Sequence, residues 1–357
     1  MSDNTIYILG AGASRAVTTD SKLPSPLATD FFKEKYIKAN WLGKFPSSDY
    51  SNTKLYKLVS RYFGKKDDIN IEEVYSFLDF ISNSFYSTYS EKLDIQTAKH
   101  ELLEYLFHIL YYGVEYSSNH YDKIVENLKI GDSIITFNWD LMIDQLLINS
   151  EQGKIIHDSL NEIINPTNSF GNNDYDTLAY NNLHKGYFLK MHGSINWAIC
   201  GNNECHRHSI PFIFNLDKEI YLPMWNCNYC GCKLEMLLMP PHVHKNFRAN
   251  RIFNLQAKIA YEKIYTAKEI IIIGYSFPEF DFEVNSLFRK AKLTHDDDGS
   301  ELFLNTIHLV DPAVNSKKFV EKIENIFGVK RSNETYGHEI KLKTYESLDI
   351  FIKSYFT

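Results

Sequence analysis

The 357-residue sequence predicts an α/β fold, a Rossmann-like parallel sheet that carries a helical insertion and a small cysteine-rich module. Thr5–Leu9 (TIYIL) runs straight into Gly10-Ala11-Gly12-Ala13-Ser14, the layout of a first strand turning into a glycine loop. Glu269-Ile270-Ile271-Ile272-Ile273 is a continuous apolar run that suits a central parallel strand covered on both faces. All five cysteines fall between Cys200 and Cys232.

Taken in order, Ser25-Pro26 supplies an N-cap and a first-turn proline for a helix reaching about Ala39. From about Asp49 to Leu128 apolar residues recur at three- and four-residue spacing, as in SFLDFISNSFY and ELLEYLFHILYY, so residues 49–128 read as the helical insertion. A strand at Ser133–Phe137 and a helix from Trp139 to Asn149 resume the α/β pattern. The polar stretch 150–182, rich in Asn and Asp, reads as a long loop or lid. A strand at Tyr187–Met191, the cysteines, a helix at Phe247–Thr266 and the isoleucine strand come next. Then come a helix near Phe282–Ala291, an acidic loop (His295–Ser300), a strand at Asn305–Val310 and a last helix, strand (near Ile340–Leu342) and helix. The expected division is 1–48, 129–197 and 236–357 for the sheet domain, 49–128 for the insertion and 198–235 for the cysteine module.

Hydrophobic residues make up 44% and aromatics 15%, with 16 Gly and 10 Pro, which excludes collagen-like and low-complexity classes and suffices for a large core. No run approaches the roughly 18 apolar residues of a membrane span. The start Met1-Ser2-Asp3-Asn4 lacks the basic region of a signal peptide, so a cytoplasmic location is expected. Lys and Arg number 38 against 45 Asp and Glu, a net charge of −7, which argues against a general footprint for duplex DNA or an anionic membrane. Any nucleic acid is then expected to be met only through a partner.

The polar motifs sit just after strands, where an open α/β sheet binds ligands. A Gly10-x-Gly12 turn lets backbone approach a phosphate at a helix N-terminus, although the third glycine of a dehydrogenase fingerprint would fall at Arg15 and a plain turn is the alternative. Asn138 and Asp140, in Thr136-Phe137-Asn138-Trp139-Asp140, stand at a helix entrance, where capping is the bland reading. His192 follows a strand in His192-Gly193-Ser194, Gly274-Tyr275-Ser276 follows the isoleucine run, and Asp311-Pro312 follows Val310. Each is also compatible with an ordinary turn or a structural histidine. The cysteines are more specific. Cys200-x4-Cys205 and Cys227-x2-Cys230 are two close pairs of the kind that build a tetrahedral structural zinc site. Cys232 is an alternative to Cys230, and His206 or His208 to Cys205; free thiols or a redox pair are the other readings.

In this order GAGAS (10–14), TFNWD (136–140), KMHGSINW (190–197), the cysteine pairs, IIIGYS (271–276) and HLVDP (308–312) resemble the sirtuin superfamily, and more closely its bacterial branch of antiviral-defence NAD glycohydrolases. The resemblance spans nearly the whole chain. It implies cleavage of NAD+ to nicotinamide and ADP-ribose, with pyrophosphate against Gly10, Ala11, Gly12, Ala13 and Ser14. It further implies that Gly274, Ser276 and Asp311 border the adenosine half and that Asp140 binds the nicotinamide carboxamide. Asn138 would hold a ribose hydroxyl or the attacking water, and His192 would act as general base. Zinc on Cys200, Cys205, Cys227 and Cys230 would be structural. Relatives imply a homo-oligomer and a sensing partner, a HerA-type ATPase or an Argonaute-type protein. The chain departs from sirtuin deacetylases in having Leu23-Pro24-Ser25-Pro26-Leu27 in place of an Asp-Phe-Arg segment, and in the long stretch between Gly12 and Asn138. Both differences favour the NAD-cleaving branch over the alternatives, an NAD-dependent protein deacylase and a non-catalytic NAD or ADP-ribose sensor.

Overall fold

Strand β1 (Thr5–Leu9), buried along its whole length, enters helix α1 (Ala11–Val17) directly through Gly10. The computed structural model describes residues 4–41, 50–64, 68–82, 88–112, 117–164, 186–208, 210–214, 226–239, 250–279, 281–298, 304–329 and 340–356. Helices α2 (Glu34–Trp41), α3 (Lys54–Tyr62), α4 (Ile71–Ser82), α5 (Tyr89–Tyr112) and α6 (His120–Glu126) lead to β2 (Ser133–Thr136). Helices α7 (Met142–Asn149) and α8 (Glu151–Ile164) precede β3 (Phe188–Lys190), β4 (Gly193–Cys200), β5 (Phe212–Ile213) and β6 (Leu234–Leu238). Helix α9 (Arg251–Tyr265), β7 (Glu269–Ile273), α10 (Phe282–Asp298), β8 (Thr306–Val310), α11 (Lys317–Phe327), β9 (Lys341–Tyr345) and α12 (Leu348–Tyr355) complete the chain order.

Among the described residues the strands form a six-stranded sheet of order β3-β2-β1-β7-β8-β9, in which every neighbouring pair is parallel. This is the expected α/β architecture. The order reverses between β1 and β7, which opens a crevice at their C-terminal ends. Register brings the last residues of the strands into one row: Thr136 pairs with Lys190 and Leu9, Leu9 with Ile273, Ile273 with Val310 and Val310 with Tyr345. Motifs far apart in sequence therefore emerge side by side. Ile270, Ile271, Ile272 and Ile273 are at most 1% exposed, and burial of each contributes about 1.5–3 kcal/mol. This is the continuous run of a strand covered on both faces.

Two cores result. The sheet core takes in α6 through Tyr121, Ile124 and Val125, although residues 49–128 read from the sequence as insertion. Helices α3, α4 and α5 close a second core around Leu55, Val74 and Leu102, which also holds Trp139 and Ile195 and Leu238 of the small sheet. That sheet, β5-β4-β6, is antiparallel and was not expected from the sequence.

Three local expectations are corrected. No helix begins at Ser25-Pro26. Arg15 bonds the Ser25 carbonyl and the Asp30 carboxylate, Tyr36 donates to the Pro24 carbonyl at 2.6 Å, and Leu27 N–H reaches Asp30 at 3.1 Å, so residues 24–33 fold as turns and helix starts at Glu34. Within the expected polar loop, residues 151–164 are helix α8, because Ile156, Ser159 and Leu160 bury one face; residues 165–185 lie outside the described residues. Helix α10 likewise runs on through His295–Asp298, the first part of the expected acidic loop. Among the described residues, no helix is long and apolar enough to cross a membrane.

Candidate active site and metal centre

A cleft of about 910 Å³ opens at the strand-order reversal. Its floor is two interlocked turns: Gly10 N–H donates to Ile273 O and Gly12 N–H to Gly274 O, both at 3.0 Å. This approach demands glycine. A Cβ on Gly10 would sit 2.4 Å from Gly274 O, and one on Gly274, at φ +58°, would sit 2.2 Å from Ala13 N. The glycines therefore serve first to dock the two turns, and their N–H groups are already paired within the protein. Ala11 and Gly12 line the cleft; Gly10, Ala13 and Ser14 are not among its lining residues.

Asn138 leaves β2 just beyond Thr136, whose hydroxyl accepts from Asn138 N–H at 3.1 Å. Its amide nitrogen donates to Gly10 O at 2.8 Å and to Ser14 Oγ at 3.0 Å. Both amide hydrogens are thus used, and the carbonyl oxygen remains as acceptor on a side chain that lines the cleft. Ser14 donates its hydroxyl to Asp140 Oδ2 at 2.7 Å, while Asp140 Oδ1 accepts from Met142 N–H at 3.1 Å at the start of α7. Burial raises the pKa of Asp140; Lys190, Ser14 and Met142 N–H oppose it. Lys190, fully buried, donates to Asp140 O at 2.7 Å and to Asp144 Oδ2 at 2.8 Å.

His192 is 4% exposed and lies edge-on to Phe137, at 5.1 Å between ring centres. Its Nε2 is 3.2 Å from Asp281 Oδ2, a carboxylate that is 0% exposed. Tyr275 donates its hydroxyl to the same oxygen at 2.6 Å and stacks on Phe137 at 4.1 Å. Burial pushes the Tyr275 hydroxyl well above its ordinary pKa, and the charges of Asp281 and Glu72 add to this. A carboxylate facing Nε2 favours a proton on that nitrogen.

Gly274, Ser276 and Asp311 line the same cleft as Asn138 and His192. Asp311 Oδ1 accepts from Ala313 N–H at 2.8 Å and caps the turn Pro312–Asn315, while burial raises its pKa. Phe277 holds the turn after Ser276 at φ +49°, a conformation rare for a bulky residue, its ring packed against Phe288 at 5.2 Å. Asp140 instead lines a side chamber of about 60 Å³, together with Phe31, Leu110 and Trp139.

The sulfur atoms of Cys200, Cys205, Cys227 and Cys230 lie within 4.8 Å of one another and could hold a metal ion. Cys200–Cys230 is 3.3 Å and Cys205–Cys227 is 3.9 Å, against about 3.8 Å along the edge of a tetrahedron with Zn–S bonds of about 2.3 Å. The donors thus fit a four-thiolate ion. Cys232 is exposed and outside the cluster, and His208 turns its Nδ1 to the Cys200 carbonyl at 2.7 Å.

Sequence reasoning missed Asp281, Tyr275, Glu72 and the Lys190–Asp144 pair. Lys190 carried a readable signal, a lysine inside the apolar strand YFLKM; Asp281, in a loop, carried none. A scan against protein-family models finds none that matches this chain, and no curated protein matches it either.

Proposed function

We propose that this chain is a sirtuin-like NAD+ glycohydrolase that releases nicotinamide and ADP-ribose, acts as an NAD-depleting effector of antiphage defence, and is gated by self-assembly or by a sensing partner. The observation that carries the reading is the convergence of Asn138 and His192 on one cleft at the reversal point of a doubly wound sheet. In this reading the large cleft takes the ADP-ribose half, and the nicotinamide ring lies at the mouth of the side chamber with its carboxamide toward Asp140. The Asn138 carbonyl oxygen accepts from a ribose hydroxyl or from the attacking water. His192 removes a proton as water adds to the sugar carbon, and the electron pair of the broken C–N bond leaves with neutral nicotinamide.

Chromatography of NAD+ incubated with the protein, with and without an acetylated peptide, tests this. The expected result is nicotinamide and ADP-ribose without peptide, at a rate per chain that rises with protein concentration. Peptide-dependent turnover giving O-acetyl-ADP-ribose would establish a deacylase instead, and tight binding of NAD+ without turnover a sensor.

The cysteine cluster is proposed to hold zinc, and four thiolates would close its coordination to water, so its role is structural. Elemental analysis is expected to find zinc bound at one ion per chain. Chelation should lower the unfolding temperature, and Cys200→Ser should release the metal. A chain with no bound metal and an unfolding temperature indifferent to chelators would refute the assignment.

A further inference from the structure

The large cleft and the side chamber share part of their lining. Among the described residues five line both spaces: Ala11, Ala28, Glu72, Phe137 and Asn138. Glu72 is the ionisable one. It stands in the first turn of α4, so it comes from the helical segment between β1 and β2 and not from the sheet. Its backbone is fixed by a 2.8 Å hydrogen bond from Glu72 N–H to Asn70 Oδ1, and Asn70 also lines the cleft. Its negative charge adds to the upward shift of the Tyr275 hydroxyl, which burial dominates. Glu72 shares the lining of both spaces with Phe137, which stacks on Tyr275 and lies edge-on to His192.

We propose that Glu72 is a second catalytic residue, a carboxylate supplied by the helical segment that faces the sugar carbon and stabilises its positive charge as the glycosidic bond breaks. The inference rests on the NAD+ glycohydrolase reading. If the sugar–phosphate half fills the cleft and the leaving ring points toward the chamber, the bond between them passes these shared residues. Cleavage breaks the C–N bond, both electrons go to nicotinamide, and the sugar is left as an oxocarbenium-like cation. Water then supplies the new C–O bond and its proton passes to His192. Glu72 forms no bond and gives up no proton; it acts through charge. The helical segment would thereby complete the active site, and any displacement of α4 by assembly or a partner would move the carboxylate.

Glu72→Gln keeps the shape and removes the charge. It is expected to lower kcat by about 100-fold with the unfolding temperature unchanged. A second measurement needs no turnover: in a His192→Ala background, adding Glu72→Gln should weaken NAD+ binding roughly threefold to tenfold, because the nicotinamide ring of NAD+ is cationic, and leave binding of ADP-ribose, which lacks that ring, unchanged. Turnover by Glu72→Gln within threefold of wild type overturns the proposal and leaves the glycohydrolase reading standing. Equal loss of NAD+ and ADP-ribose binding also overturns it, because the residue would then be structural. A wild-type protein that neither binds nor cleaves NAD+ overturns the reading and this inference together.

Discussion

His192→Ala is expected to lower NAD+ turnover by about 10²–10⁴-fold, the range for loss of a general base. The imidazole is held from two sides, by the Phe137 ring and by the Asp281 carboxylate, and both partners remain after truncation. Asp281 keeps the Tyr275 hydroxyl at 2.6 Å, so the vacated position is not left with a buried carboxylate wholly unpaired. The variant should therefore still bind ADP-ribose, which separates loss of chemistry from loss of fold. Asp281→Asn supplies the complementary case. An asparagine of the same shape no longer demands a proton on Nε2, so the imidazole samples the wrong tautomer, and kcat should fall while KM for NAD+ changes little. Assay by nicotinamide release decides both. A His192→Ala protein that turns over NAD+ at the wild-type rate would remove the imidazole from the chemistry, and with it the glycohydrolase mechanism.

Much of this arrangement was legible because strand ends are legible. The run TIYIL before Gly10, the four isoleucines before Gly274 and the apolar residues before Asp311 each announce a parallel strand, and register then sets the turns after these strands in one row. The cysteine spacing was readable for a similar reason, since short turns fix how far apart two thiols can lie. Illegible were features set by tertiary contacts. Ser25-Pro26 has the chemistry of a helix start, but Arg15 and Asp30 fold that segment into turns. The helix α8 was hidden because only a narrow face is apolar, with Gly153 packed close against Leu147 in its first turn. Glycine in the loop was readable as backbone approach, yet what approaches is the Gly274 turn. Glu72 lies far in sequence from any glycine motif, and Asp281 lies five residues past Ser276 with no pattern of its own; packing of α4 and of the loop before α10 brings them to the cleft.

The largest effect on stability is expected at Lys190, which joins the sheet to the site. Its ammonium is fully buried and shared between Asp144 Oδ2 and the Asp140 carbonyl. Lys190→Met leaves the Asp144 carboxylate buried without its cation, a change that costs about 3–5 kcal/mol and lowers the unfolding temperature on the order of 4–7 °C. The double variant Lys190→Met with Asp144→Leu removes both charges and should recover most of that loss, because a well-packed apolar pair of similar volume commonly replaces a buried ion pair at little cost. Activity should behave differently. Burial already raises the Asp140 pKa, and Lys190 lowers it by more than Asp144 adds, so Asp140 takes up a proton more readily in both variants, less so in the double one. A protonated Asp140 is a poorer acceptor for the Ser14 hydroxyl, and Ser14 is one of the two anchors of the Asn138 amide. Turnover should consequently remain low in the double variant even where thermal unfolding has returned to the wild-type range. Recovery of stability and turnover together would show that Lys190 acts only through packing, and that the chain of hydrogen bonds from Asp140 to Asn138 does not depend on its charge.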